Sequence, residues 1–150
     1  MPAYEIRPVK SYSVTVDYGM SVEEAVQRGN FAWPEPDINS TNFPTERKGQ
    51  TKLAIDLFQF SHSVTSRWVI EQLDIIGYRP AELLEFLALA YQYPDVSRGH
   101  PVAALGSMWR SREGWYAVPD LAGNASRRGL GLSLFSVKWV GGWYFGAVCK

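Results

Sequence analysis

The chain has 150 residues, 46% hydrophobic and 14% aromatic, and its 15 basic and 15 acidic side chains cancel. This apolar fraction excludes a disordered chain, and the length suits one core, so a single domain spanning 1–150 is expected. No run of four like charges supplies the field a nucleic-acid binder uses, and the one cysteine, Cys149, excludes an internal disulfide or a thiolate zinc site.

At the N-terminus, Met1–Arg7 lacks the apolar run of a secretory signal, and no later segment approaches the roughly 20 apolar residues that span a bilayer. A protein that is cytoplasmic as encoded, without membrane insertion, is therefore expected, with surface display by another route left open. Tyr12, Val14, Val16 and Tyr18 alternate with polar residues, the period of a strand with one buried face. Ser21 and Glu24 read as a capping box that opens a helix, with Gly29 placed to end it. Phe31 to Gly49, with three prolines, reads as a surface loop pinned by Phe31, Trp33 and Phe43. A second strand, with Leu53, Ile55 and Leu57 on one face, should pair with the first.

Ser63 is placed to cap a helix carrying Val64, Trp68, Val69, Leu73 and Ile76, stopped by Gly77. Pro80 should open the next helix, Ala81–Tyr91, which is apolar most of the way round and therefore belongs in the core. Short strands follow at Val102–Trp109, Trp115–Val118, Leu130–Phe135 and Trp143–Val148, with a turn at Ser111–Gly114. The N- and C-terminal strands are expected to pair directly.

Little of the chain carries catalytic chemistry. His62 and His100 are the only histidines, no metalloprotease, EF-hand or phosphate-loop motif occurs, and Gly129-Leu130-Gly131 lacks the third glycine of a dinucleotide site. Trp33-Pro34-Glu35-Pro36-Asp37 contains Glu-Pro-Asp, similar to the carboxylate motif of calcium-dependent lectins, but it stands in the wrong third of the chain and reads as a solvated turn. Glu82, Glu85 and Asp120 read as helix-start and turn carboxylates. No enzyme, metal or cofactor is expected.

The C-terminal stretch is more informative. Leu130, Leu132, Phe135, Trp139, Phe145 and Val148 are separated by small or neutral residues, so one set can anchor while the other faces out. A plain glycine-rich meander with Trp139 and Trp143 inside has the same pattern. Ser126, Arg128, Leu130, Leu132, Phe135, Trp139, Phe145, Ala147, Val148 and Lys150 also fall in phase with a frame, Ser-x-Arg-x-Leu-x-Leu, that ends in Phe-Ala-Ala-Val-Arg-Lys. Upstream, Gly77-Tyr78-Arg79-Pro80-Ala81 through Leu89 is similar to Gly-Tyr-Arg-Pro-Ala-x-x-x-Glu-Leu-Leu-Ala-Leu, and Pro101–Trp109 and Val118–Leu121 match the strands between.

In this ordered set the chain resembles the variable proteins of diversity-generating retroelements, in the formylglycine-generating-enzyme-like branch of the C-type lectin fold. The resemblance covers the chain from about Tyr12, with departures at Leu134, Lys138, Tyr144, Gly146 and Cys149. It implies an α+β C-type-lectin-like fold: small antiparallel sheets flanked by two main helices, a loop-rich C-terminal half, and residues 122–150 as the variable region. Diversified, ligand-facing positions would be Arg127, Gly129, Gly131, Ser133, Ser136, Val137, Val140, Gly141, Gly142 and Trp143, although Trp143 could equally be core. The implied partner is a macromolecule, protein or glycan, bound without catalysis by a protein expected to be monomeric. Two other readings remain: a small enzyme or regulatory domain using His62 and His100, and an oligomer interface built on the tryptophan-rich end.

Overall fold

The computed structural model describes residues 6–150. Strand β1 (Lys10–Asp17) pairs antiparallel with β3 (Gln50–Gln59), as its alternation predicts, and puts Val14 and Val16 in the core. Helix α1 (Val22–Arg28) starts where the Ser21 hydroxyl accepts the Glu24 amide at 3.1 Å. Gly29 caps its end, as expected, but not in the left-handed form. Gly29 stays right-handed, and the left-handed residue is Asn30, at φ 49°, whose amide tip tolerates that conformation.

The long loop after α1 also differs. Phe43 and Ile38 pin it inside, whereas Trp33 is exposed and forms the two-residue strand β2 (Trp33–Pro34) with Pro34. Strand β4 (Val64–Thr65) precedes helix α2 (Ser66–Ile75), whose cap is Thr65 rather than Ser63, its hydroxyl accepting the Trp68 amide. Gly77, at φ 85°, supplies the predicted left-handed stop. Pro80 does not open the next helix: it ends strand β5 (Tyr78–Pro80), and α3 (Leu83–Gln92) begins after Glu82. Ala81 is held between, its amide bonded to Gly146 and its carbonyl to the Gly106 amide.

The remaining strands are β6 (Val102–Ala103), β7 (Trp109–Arg110), β8 (Tyr116–Asn124), β9 (Arg127–Leu134), β10 (Lys138–Trp139) and β11 (Tyr144–Cys149). The expected strand over 102–109 is thus split into two short pieces. Strand β8 runs on through Pro119, whose carbonyl accepts the Ala104 amide just beyond the end of β6; a proline is tolerated where no neighbouring strand needs its N–H.

The strands form one mixed nine-stranded sheet ordered β1-β3-β11-β6-β8-β9-β2, with β5 beside β11 and β7 beside β8; β10 and β4 make a separate pair. The terminal strands therefore do not pair directly, because β3 stands between them, and two pairs, β11 with β6 and β2 with β9, are parallel. Helices α1 and α3 cover one face through Val22, Ala25, Leu84, Leu87 and Leu89, against Val14, Ile55, Leu121 and Leu130. On the other, Val69 and Leu73 of α2 meet Phe58, Val118, Trp139 and Phe145. Among the described residues the architecture is mixed α+β, with three helices and one large mixed sheet rather than small antiparallel ones, and no helix is long and apolar enough to cross a membrane.

A buried ionic knot ties α3 to the sheet. Glu85 is fully buried, Arg79 reaches both its oxygens at 2.9 and 2.7 Å, the Tyr18 hydroxyl donates at 2.6 Å, and the Glu82 amide donates at 2.8 Å. Burial pushes the Glu85 carboxyl up, but these donors outweigh it and hold it below the usual carboxylate range. The same contact, with burial as the larger cause, raises the Tyr18 hydroxyl to about 12. The Gly77–Glu85 motif is thus structural: a helix stop, a Tyr78 hydroxyl bonded to Asp56, a fork and its buried carboxylate.

Candidate functional site

Strand β9 presents two unlike faces. Arg128 and Leu130 are buried at 5% and 1% exposure, with Leu132 half-buried behind them, toward the helices α1 and α3. The Arg128 guanidinium donates to the Ala90 carbonyl at 2.5 Å and to the Gly29 carbonyl, so one cation satisfies carbonyls at two helix C-termini, where positive charge is favoured. Burial pushes the Arg128 guanidinium below its ordinary value, offset in part by Asp95. Its nearest neighbours in sequence point the other way: Arg127 is exposed, and Gly129, Gly131 and Ser133 are half-buried.

That outer row has a neighbour on each side. Strand β8 sets Ala122 opposite Gly129, Asp120 opposite Gly131 and Val118 opposite Ser133, while β2 runs parallel with Trp33 opposite Gly129. The Glu35 amide donates to Leu130, continuing the pairing toward Gly131. Because the two glycines project nothing, a trough of ≈ 340 Å³ opens, floored by Gly129, Gly131 and Ala122 and walled by Trp33, Pro34, Glu35 and Asp120. The Arg127 guanidinium lies over the Trp33 ring, 4.6 Å from its centre, outside that lining. Asp120 accepts the Ser133 hydroxyl at 2.5 Å; burial pushes its carboxyl up, and the Ser133 bond offsets this only partly.

After β9 the chain turns and crosses back to β11 over the α2 side of the sheet. Trp139, 2% exposed, packs there with Val118 and Phe145, and the buried Ser66 hydroxyl stitches the crossover by accepting Trp139 Nε1 at 2.8 Å and donating to the Phe135 carbonyl at 2.7 Å. Val118 shares the face of Asp120 and Ser133, so the crossover and the outer row of β9 lie on the same side of the sheet. Ser136, Val137, Val140 and Gly141 are exposed, with Val140 at 63%. Trp143 is neither sealed nor free: half-buried, it sets its ring edge-on to Trp139 with centroids 4.7 Å apart.

The four glycines in this set are not equivalent. A Cβ on Gly129 would meet only the Trp33 ring, at 3.7 Å, and one on Gly131 would press on the Asp120 carboxylate at 3.0 Å. On Gly141 it would strike the Ser61 backbone at 2.9 Å, and Gly142 has φ 102°. Gly142 is also fastened, its amide to Phe60 and its carbonyl to Gln59. Exposure at Gly141 and Gly142 therefore does not bring freedom to vary. Gly142→Ala should cost about 1–2 kcal/mol, while Gly129→Ala should be neutral or stabilising by up to about 1 kcal/mol; paired urea denaturation curves measure both.

The two histidines have different ring neighbours. His62 is exposed beside Phe60 and Trp68, and His100 is exposed beside Tyr144 and Gly142 in a separate cleft of ≈ 280 Å³ formed with residues such as Ser97 and Asn124. Among the described residues no three His, Cys, Asp or Glu side chains are grouped to hold a metal. Sequence reasoning assigns Asp120 to a turn, Trp33 to pinning a loop, and no role to Ser66. Only tertiary pairing brings Trp33 and Asp120 to one trough and Ser66 under the crossover. Comparison with family models, with curated proteins and with solved structures finds no match to this chain.

Proposed function

We propose that the chain is a ligand-binding protein of the retroelement-diversified kind, built on a C-type-lectin-like scaffold and presenting Arg127–Trp143 to a protein or glycan partner without catalysing a reaction. What supports the reading above all is the partition of that stretch. None of Arg127, Gly129, Gly131, Ser133, Ser136, Val137, Val140, Gly141, Gly142 and Trp143 is buried, whereas, of the interleaved residues, Arg128, Leu130 and Trp139 are exposed by 5% or less and Leu132 and Phe135 are half-buried. A rigid backbone rooted by large side chains, with small or mobile groups between, is the physical requirement for changing a surface without losing the fold. Gly141 and Gly142 belong to that surface as backbone rather than as variable side chains.

The test lies in the DNA flanking the coding sequence. A near-copy of the segment encoding residues 122–150, differing mainly at adenines and lying beside a reverse-transcriptase gene, is the expected finding. Flanking DNA with no such repeat would overturn the reading. Ser133 holds Asp120, so Val137 and Val140 are the cleaner positions at which to show tolerance. Val137→Asp with Val140→Asp should leave the unfolding free energy within about 0.5 kcal/mol of the parent in urea denaturation.

A further inference from the structure

The trough between β8, β9 and β2 has a charge pattern that selects among ligands. Its lining holds two carboxylates, Glu35 and Asp120, one indole, Trp33, and no basic side chain. Among the described residues neither carboxylate forms an ion pair: Asp120 Oδ2 accepts the Ser133 hydroxyl, and Glu35 Oε1 accepts the Asp37 amide at 3.2 Å. Each therefore has one oxygen committed and one remaining, with Asp120 Oδ1 on the Gly131 side, 3.0 Å from where a Cβ would stand. A partly buried carboxylate without a counter-charge is costly, and desolvation already raises the Asp120 carboxyl.

We propose that this trough receives a protonated primary amine, the lysine side chain of a partner protein, with its ammonium between Glu35 and Asp120 and its methylene stem along Trp33 and the glycine floor. The inference rests on the reading of this face as the ligand surface and deepens it by naming the chemistry. A guanidinium is best served by both oxygens of one carboxylate, whereas an ammonium is a compact charge whose three donors reach single oxygens on two carboxylates. A neutral glycan would leave the Asp120 charge uncompensated. A calcium ion needs six to eight oxygen ligands, which two half-committed carboxylates do not provide. An unbranched stem suits a floor from which Gly129 and Gly131 project no side chain, and the exposed indole gives it an apolar wall.

The test is a titration of the full chain, labelled with ¹⁵N, with N-acetyl-lysine methylamide, and in parallel with N-acetyl-norleucine methylamide, maltotriose and calcium chloride. The lysine derivative should give saturable shifts of the Trp33 indole N–H and the Gly129 and Gly131 amides, and the other three should not. Glu35→Gln combined with Asp120→Asn, which keeps an acceptor for Ser133, should weaken this binding by about tenfold or more. Glu35→Gln alone gives the same readout, about half as large on a logarithmic scale, if the double variant does not fold. Gly129→Leu, which fills the floor without touching either carboxylate, should abolish it. Equal shifts from the norleucine derivative, saturation by maltotriose or calcium at the same signals, or undiminished lysine binding in the carboxamide variants would each overturn the proposal. Failure here with a template repeat present in the flanking DNA rejects the amine alone; lysine binding without the repeat rejects the retroelement reading alone.

Discussion

Replacing Glu85 with Gln is expected to lower the unfolding free energy by roughly 3–5 kcal/mol, because it leaves Arg79 facing a neutral amide in a site where both oxygens are now engaged. For a chain of this length that is a fall in Tm on the order of 10 °C. Arg79→Met should be as damaging, since it strands a carboxylate with no exposed surface. The double variant Arg79→Met with Glu85→Leu should lie closer to the parent than either single change, because removing both charges also removes the desolvation cost. The acid limb carries a second signature. Glu85 is held below the ordinary carboxylate range, so its stabilising contribution is complete above the unfolded-state value of about 4.3 and is lost as pH falls through the lower folded-state value. Thermal scans from pH 7 to pH 2 should show that loss in the parent and a shallower acid limb in Glu85→Gln.

The second large effect separates two adjacent arginines. Arg128→Ala should cost about 3 kcal/mol or more: it uncovers the Ala90 and Gly29 carbonyls inside the protein, leaves a gap beside the Phe31 ring, and removes a cation from two helix C-termini. Arg128→Lys should recover little, because one ammonium does not reproduce a planar fork reaching two carbonyls on different helices. Arg127→Ala, one residue earlier, should cost no more than about 1 kcal/mol, the scale of an exposed cation–π contact with Trp33. Denaturation curves for the three variants measure the asymmetry, and similar losses at both arginines would remove the distinction between root and display.

Strongly periodic local segments were the readable part of this fold. The alternation around Val14 and Val16, the Ser21 cap, the Gly77 stop and the apolar third helix are short-range signals, and each corresponds to what the local backbone does. Boundaries moved where a long-range partner outweighed local preference. Pro80 pairs with Ala147 in a strand instead of starting a helix, and Val64 pairs with Trp139 instead of joining one. Glu85 is harder: in an otherwise apolar helix face a lone Glu looks like a helix-start charge, and its burial follows from Arg79, six residues back, and Tyr18, 67 residues away. The trough was illegible for the same reason. Two residues of strand at Trp33–Pro34 have no period to read, and Pro119 interrupts the pattern beside Asp120. Only the alternation of large and small residues along 127–143 was visible, and that alternation sets which side chains of β9 enter the core.

The most direct measurement is a saturation-mutagenesis scan of residues 124–148, scoring the folded fraction of each variant by protease resistance. The account predicts low tolerance at Arg128, Leu130, Trp139 and Phe145, low tolerance at Gly141 and Gly142 for backbone reasons, and broad tolerance at Arg127, Gly129, Ser136, Val137 and Val140. Tolerance as narrow at this last group as at the buried residues would contradict a surface built to change.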